Sequence, residues 1–136
     1  MRAAYLDASA LVKLLRRESE SAALRSALED VPAWVSSELV DVELHCTARR
    51  LGGGPLLDRV DEIVAGIHLV PFDAGIRARA TGTAFDPPLR ALDAVHLATA
   101  LSIREELDAF VAYDRDLMAA AQASSLNVRA PSEPHT

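Results

Sequence analysis

Five short apolar runs, each divided from the next by helical periodicity, set the tightest limit on how this chain can fold. "AAYLD" (3–7), "AWVSS" (33–37), "IHLVPF" (67–72), "AFVAY" (109–113) and "LNVRA" (126–130) read as strands. Helical patterns fill the gaps at 9–17, 19–29, about 37–51, about 56–65, about 74–83, about 89–107 and the short "DRDLMAAAQA". Strands separated by helices are not hairpins, and the arrangement that buries them is a parallel sheet with helices on its faces. The expected class is α/β. With 136 residues, half of them hydrophobic, the chain suits one domain over 1–130 followed by a loose polar tail, "PSEPHT" (131–136).

Charge narrows the function. The net charge of −6, from 20 acidic and 14 basic side chains, has the wrong sign for a broad nucleic-acid-binding surface, so any such contact must be local. Lys13 is the only lysine and the other basic residues are arginine, the better bidentate phosphate ligand. Aromatic residues make up only 4%, which argues against reading RNA mainly by base stacking. Cys46 has no cysteine partner for a disulfide or a zinc site. The first apolar stretch is cut short by Asp7 and no run approaches membrane-spanning length, so a cytoplasmic location is expected.

The chemistry lies in acids at unusual places. Asp7 closes the first strand and Asp114 follows the strand at 109–113, which puts both at the carboxyl edge of a parallel sheet, where open α/β folds bind ligands. Alone, each would be read as a helix N-cap. In the helix at 37–51, Glu38, Asp41, His45 and Arg49 form a polar, solvated stripe, whereas Glu43 shares a stripe with Leu39, Val42 and Cys46. Asp93 repeats the anomaly, because "RALDAVHLATAL" (90–101) is apolar almost all the way round. Either could be a buried acid tied to an arginine. Together, four carboxylates with no lysine nearby except Lys13 repel one another unless a cation lies between them. Oxygen-only donors point to Mg²⁺ or Mn²⁺ rather than zinc, and such an ion supports phosphodiester hydrolysis.

Four segments carry a resemblance. "YLDASALVKLL", "SSELVDVEL", "RALDAVHLATAL" and "FVAYDRDL" resemble, in order, the motifs of the PIN-domain nucleases, most closely the toxin ribonucleases of VapBC toxin–antitoxin systems. The resemblance covers nearly the whole chain. It implies a three-layer α/β/α domain with a central parallel sheet of about five strands. It also implies an endoribonuclease in which Asp7, Glu43, Asp93 and Asp114 form the catalytic set. Asp7, Asp93, Asp114 and Asp116 would be the metal-binding candidates for Mg²⁺ or Mn²⁺, Asp116 assisting or substituting for Asp114, and Ser9 would support the site. Expected partners are the RNA substrate, a second copy of the chain and a cognate antitoxin docked on "LVKLL" and "AALRSAL".

Other residues receive plainer readings. His96, about 60° round the helix from Asp93, is expected to be a packing residue with one nitrogen satisfied; His45 and His68 have less claim to function. Thr99 should bond back to its own helix. Lys13, Arg16 and Arg17 are expected at a solvated helix end, and Arg77, Arg79 and Arg90, flanking "FDPP", are the candidates for RNA contact. "GGGP" lacks the Lys and Ser/Thr of a phosphate-binding loop and reads as a linker. Two alternatives stand beside the nuclease: a catalytically silent PIN-like module that binds RNA or protein, and a receiver-like signalling domain. The second needs a late lysine that this sequence lacks.

Overall fold

The computed structural model describes residues 2–133. The elements alternate as expected: β1 (Ala3–Leu6), α1 (Ala8–Leu15), α2 (Ser21–Leu28), β2 (Trp34–Ser37), α3 (Leu39–Arg50), α4 (Pro55–Ala65), β3 (His68–Val70), α5 (Ala74–Gly82), α6 (Ala91–Ser102), β4 (Leu107–Val111), α7 (Arg115–Ala123) and β5 (Val128–Arg129). All four strand pairings are parallel, in the order β3-β2-β1-β4-β5. β1 is therefore central. Every one of its residues is buried, and period-two alternation sends Ala4 and Leu6 to one face and Ala3 and Tyr5 to the other.

Those two faces carry separate cores. Ala4 and Leu6 pack with Leu11, Leu14, Leu24, Val40, Leu44 and Val60 from α1 to α4, while Tyr5 packs with Leu97, Phe110, Leu117 and Ala121 beneath α6 and α7. The result is the expected three-layer α/β/α arrangement. Strand order reverses beside β1, since β2 and β3 are added on one side and β4 and β5 on the other. A crevice opens at such a reversal, outside the carboxyl ends of the strands.

Several boundaries differ from the sequence reading. The helix expected to reach residue 107 stops at Ser102, a 3₁₀ turn follows at Arg104–Glu106, and β4 begins at Leu107, two residues early. Glu105 and Glu106 would place negative charge at a helix C-terminus, where the helix dipole disfavours it. As a consequence Asp114 stands three residues beyond β4 rather than directly after it. "GGGP" is the linker between α3 and α4, and Gly52, Gly53 and Gly54 take φ of 114°, 66° and 56°, left-handed values that are easy only for glycine.

The receiver-like alternative fails on topology. β3 is an edge strand, separated from β1 by β2, and Asp73 after it is committed to capping α5, accepting the Ile76 N–H at 2.8 Å. In the expected tail, residues 131–133 have no regular structure and 134–136 lie outside the described residues. No helix among the described residues is long and apolar enough to cross a membrane.

Candidate active site

β1 ends at Leu6, and Asp7 turns the chain into α1 as its N-cap, accepting the Ala10 N–H at 3.0 Å. Ser9 Oγ lies 2.7 and 2.9 Å from the two Asp7 oxygens and accepts the Tyr113 N–H at 2.9 Å. One hydroxyl thus ties the end of β1 to the loop that carries Asp114. Asp7 is only 2% exposed. Burial pushes its carboxyl up to about 6, Asp93 adds to the rise, and His96, Ser9 and the Ala10 amide oppose it.

The other acids arrive from three helices. Asp93, half-buried in the first turn of α6, is pushed up by burial first and then by the Asp114 carboxylate, with Glu43 adding to the effect and His96 and Arg90 opposing it. Asp114 caps α7, one oxygen accepting the Leu117 N–H at 2.9 Å. Glu43 projects from α3 with its Oε1 2.7 Å from His96 Nε2. Asp7, Glu43, Asp93 and Asp114 are therefore one electrostatically coupled group at the strand-order reversal. Asp116 is exposed on the first turn of α7, with no hydrogen bond or ion pair to the four among the described residues.

His96 departs most from its sequence reading. It is 1% exposed and both nitrogens are engaged: Nε2 on Glu43, and Nδ1 at 2.7 Å from the Tyr5 hydroxyl. Its ring meets the Tyr5 ring edge-on at 5.8 Å, and Tyr5 in turn stacks on Phe110 at 5.3 Å. Burial holds the Tyr5 phenol far above its ordinary pKa, so it stays protonated. The sequence signal for this contact was present: a tyrosine in the middle of a fully buried strand needs a polar partner for its hydroxyl.

Other expectations need correction. Lys13 is not at a solvated end; it is 9% exposed, 2.9 Å from Glu20 Oε1 and 3.8 Å from Glu18 Oε2, with its Nζ 4.6 Å from the Tyr113 ring centroid. Its charge is committed away from the four acids, while Arg16 and Arg17 are exposed as expected. The stripe that Glu43 shares with Leu39, Val42 and Cys46 does not face the core. α3 buries Val40, Leu44 and Ala48 instead, and the Glu43 stripe lines an open groove with Ala8 and Leu92, leaving Val42 61% and Leu92 46% exposed. The polar stripe is partly engaged, since His45 bridges Asp41 and Asp61 of α4 and Glu38 accepts the Phe72 N–H. Thr99 donates to the Val95 carbonyl, as expected.

The three candidate arginines stand on two elements. Arg90 precedes α6 and its charge acts on Asp93, whereas Arg77 and Arg79 are exposed on α5 at a spacing that turns their side chains to different sides of the helix. Chemically, the four acids offer hard oxygen donors and more negative charge than Arg90 and His96 offset, a set suited to a hard divalent cation. Among the described residues no three Asp, Glu, His or Cys side chains converge into a preformed cage. Mg²⁺ does not require one, because it keeps several waters and binds through one or two carboxylates.

The PIN-domain family model matches residues 4–123. The chain is 42% identical over 133 residues to Ribonuclease VapC35 of Mycobacterium tuberculosis, covering 95% of this chain and 97% of that protein. In fold it is similar to a toxin–antitoxin complex from Klebsiella pneumoniae (TM-score 0.70, 21% identity, 96% of this chain and 99% of that one). It is also similar to VapBC2 from Rickettsia felis, solved with a DNA fragment from its promoter (TM-score 0.74, 10% identity, 96% and 99%). By sequence and by fold, the chain belongs to the PIN-domain family, in the branch that contains the VapC ribonucleases.

Proposed function

We propose that the protein is a divalent-metal-dependent endoribonuclease, the toxin of a type II toxin–antitoxin pair, acting in the cytoplasm. One observation carries the reading most directly: Asp7, buried and raised to about 6, lies within electrostatic reach of Asp93 at the strand-order reversal, while Lys13 is paired with Glu20. A fold does not spend burial on repelling carboxylates without compensation, and the 42% identity to a ribonuclease supplies the chemistry that compensates.

Asp7, Asp93 and Asp114 would hold Mg²⁺ or Mn²⁺, with Asp116 at the margin. When bound, the ion supplies Lewis-acid charge neutralisation at the scissile phosphate and acidifies water. Ser9 and the Ala10 amide keep Asp7 in one rotamer. Glu43, which lines the open groove, would accept a proton from an attacking water. Arg90, whose charge acts on Asp93, is the first candidate to contact the RNA backbone, with the exposed Arg77 and Arg79 of α5 as further candidates.

Two partner surfaces follow. The antitoxin is assigned to the groove between α1, α2 and α4, where Leu14, Leu28, Trp34 and Ile63 form an apolar floor and Arg25 and Arg59 stand at the rim. A second copy of the chain is assigned to the Val42–Cys46–Leu92 face. The test is cleavage of a panel of labelled RNAs with Mg²⁺, Mn²⁺ or EDTA, comparing wild type with Asp7→Asn and Asp93→Asn. Metal-dependent cleavage lost in both variants is the expected result. Absence of cleavage, or equal cleavage by the variants, would favour the silent RNA- or protein-binding module.

A further inference from the structure

We propose that His96 is a positioning residue for Glu43, and that a directional hydrogen-bond chain from the Ser37 backbone amide through Tyr5 and His96 fixes the carboxylate at the acidic pocket. The proposal rests on the nuclease reading for its consequence, though not for its geometry. The chain crosses four elements: Ser37 N–H of β2 donates to the Tyr5 hydroxyl of β1 at 3.1 Å, that hydroxyl meets His96 Nδ1 of α6 at 2.7 Å, and His96 Nε2 meets Glu43 Oε1 of α3 at 2.7 Å.

Each link has a direction. An amide N–H only donates, so the Tyr5 oxygen accepts from Ser37 and keeps its own proton free to be given to Nδ1. A carboxylate oxygen accepts, so Nε2 carries the proton toward Glu43. With the Tyr5 proton given to Nδ1, His96 is the neutral tautomer, Nδ1 bare and Nε2 protonated. Tyr5 serves as a fixed donor because its ring is buried and stacked on Phe110.

The consequence falls on Glu43. It projects from α3 beside an uncovered groove, where a long carboxylate would otherwise sample many rotamers. The His96 bond occupies Oε1, anchors it to the centre of the sheet, and leaves Oε2 for chemistry. Because Tyr5 and Asp7 lie two residues apart at the end of one strand, the same backbone segment places Glu43 and Asp7 relative to one another. Side chains that orient a site's acids from behind typically alter activity by about 10- to 100-fold when removed.

The test uses wild type, His96→Leu, His96→Gln and Tyr5→Phe. Gln can accept from Tyr5 with its oxygen and donate to Glu43 with its nitrogen, preserving the direction of the chain. Long-range ¹H–¹⁵N spectra of the metal-free protein should show His96 protonated at Nε2 and bare at Nδ1, and Tyr5→Phe should abolish that preference. In RNA cleavage with Mn²⁺, His96→Leu should lose kcat by about 10- to 100-fold with KM little changed, and His96→Gln should restore most of it. If His96→Leu fails to fold, Tyr5→Phe, which removes a single oxygen, carries the kinetic comparison through a fall in kcat. A proton on Nδ1, or wild-type kcat in the variants that fold, would overturn the proposal. Loss of cleavage in the wild type itself would instead defeat the nuclease reading, while the spectra would still report on the chain.

Discussion

Ser9 Oγ lies 2.7 Å from Asp7 Oδ1, and the same oxygen accepts the Tyr113 N–H at 2.9 Å. That contact spans 104 residues of sequence and locks the carboxyl end of β1 to the loop after β4. Removing the hydroxyl strips a buried carboxylate of a donor and leaves a backbone amide without its acceptor. Ser9→Ala should cost on the order of 1–3 kcal/mol in urea unfolding, and should push the Asp7 carboxyl higher still. Ser9→Thr, which keeps the hydroxyl, should retain most of the stability, and equal losses in both variants would count against this account.

Asp7 also sets a pH dependence of the metal-free protein. Its carboxyl is raised by burial from 3.8 to about 6, so between those values the folded chain holds a proton that the unfolded chain has released. Stability from this group is therefore greatest below about pH 4, falls as pH rises through about 6, and then levels off. The gap corresponds to on the order of 2–3 kcal/mol. In EDTA at pH 7.5, Asp7→Asn should be more stable than wild type, since Asn caps a helix as well as Asp does. The advantage should vanish near pH 4. Denaturant midpoints across that range give the answer, and a flat difference would show that Asp7 is not the titrating group.

Asp114 and Asp116 should separate cleanly. Asp114 is coupled to Asp93 and caps α7, whereas Asp116 is exposed. Asp114→Asn should lower RNA cleavage by about 10- to 100-fold with stability changed by only a few tenths of a kcal/mol, because the cap survives. Asp116→Asn should stay close to wild type. The reverse ranking in a cleavage assay would move the fourth acid to Asp116.

Val42 and Leu92 are large apolar side chains left exposed on one groove beside Glu43. If a second copy of the chain covers that face, Val42→Arg should shift the protein from dimer to monomer in analytical ultracentrifugation while leaving the melting temperature of the monomer little changed. A wild type that sediments as a monomer, or a variant that remains dimeric, would place the self-association surface elsewhere.

Much of this was written locally in the sequence. Strand and helix order follow from hydrophobic periodicity, and the parallel sheet follows from that alternation. Asp7 and Asp114 stand out because sheet-edge positions are visible from strand ends alone. Asp93 and Glu43 stand out because a carboxylate among apolar neighbours is anomalous at any helix position. Other features depend on partners distant in sequence, which periodicity does not encode. Helical spacing showed that Glu43 shared an apolar stripe, but only the packing of Val40, Leu44 and Ala48 inward decided that this stripe faces an open groove. It showed Lys13 after Asp7, but not that Glu18, Glu20 and Tyr113 would enclose it. The exposure of Asp116 was likewise set by how the helices dock. The largest gap was His96: the sequence placed it one turn from Asp93, while its two partners came from a strand 91 residues away and a helix 53 residues away. Local pattern thus determined which residues are anomalous, and tertiary packing decided which of those anomalies meet, because a hydrogen bond depends on distance in space and the sequence records only distance along the chain.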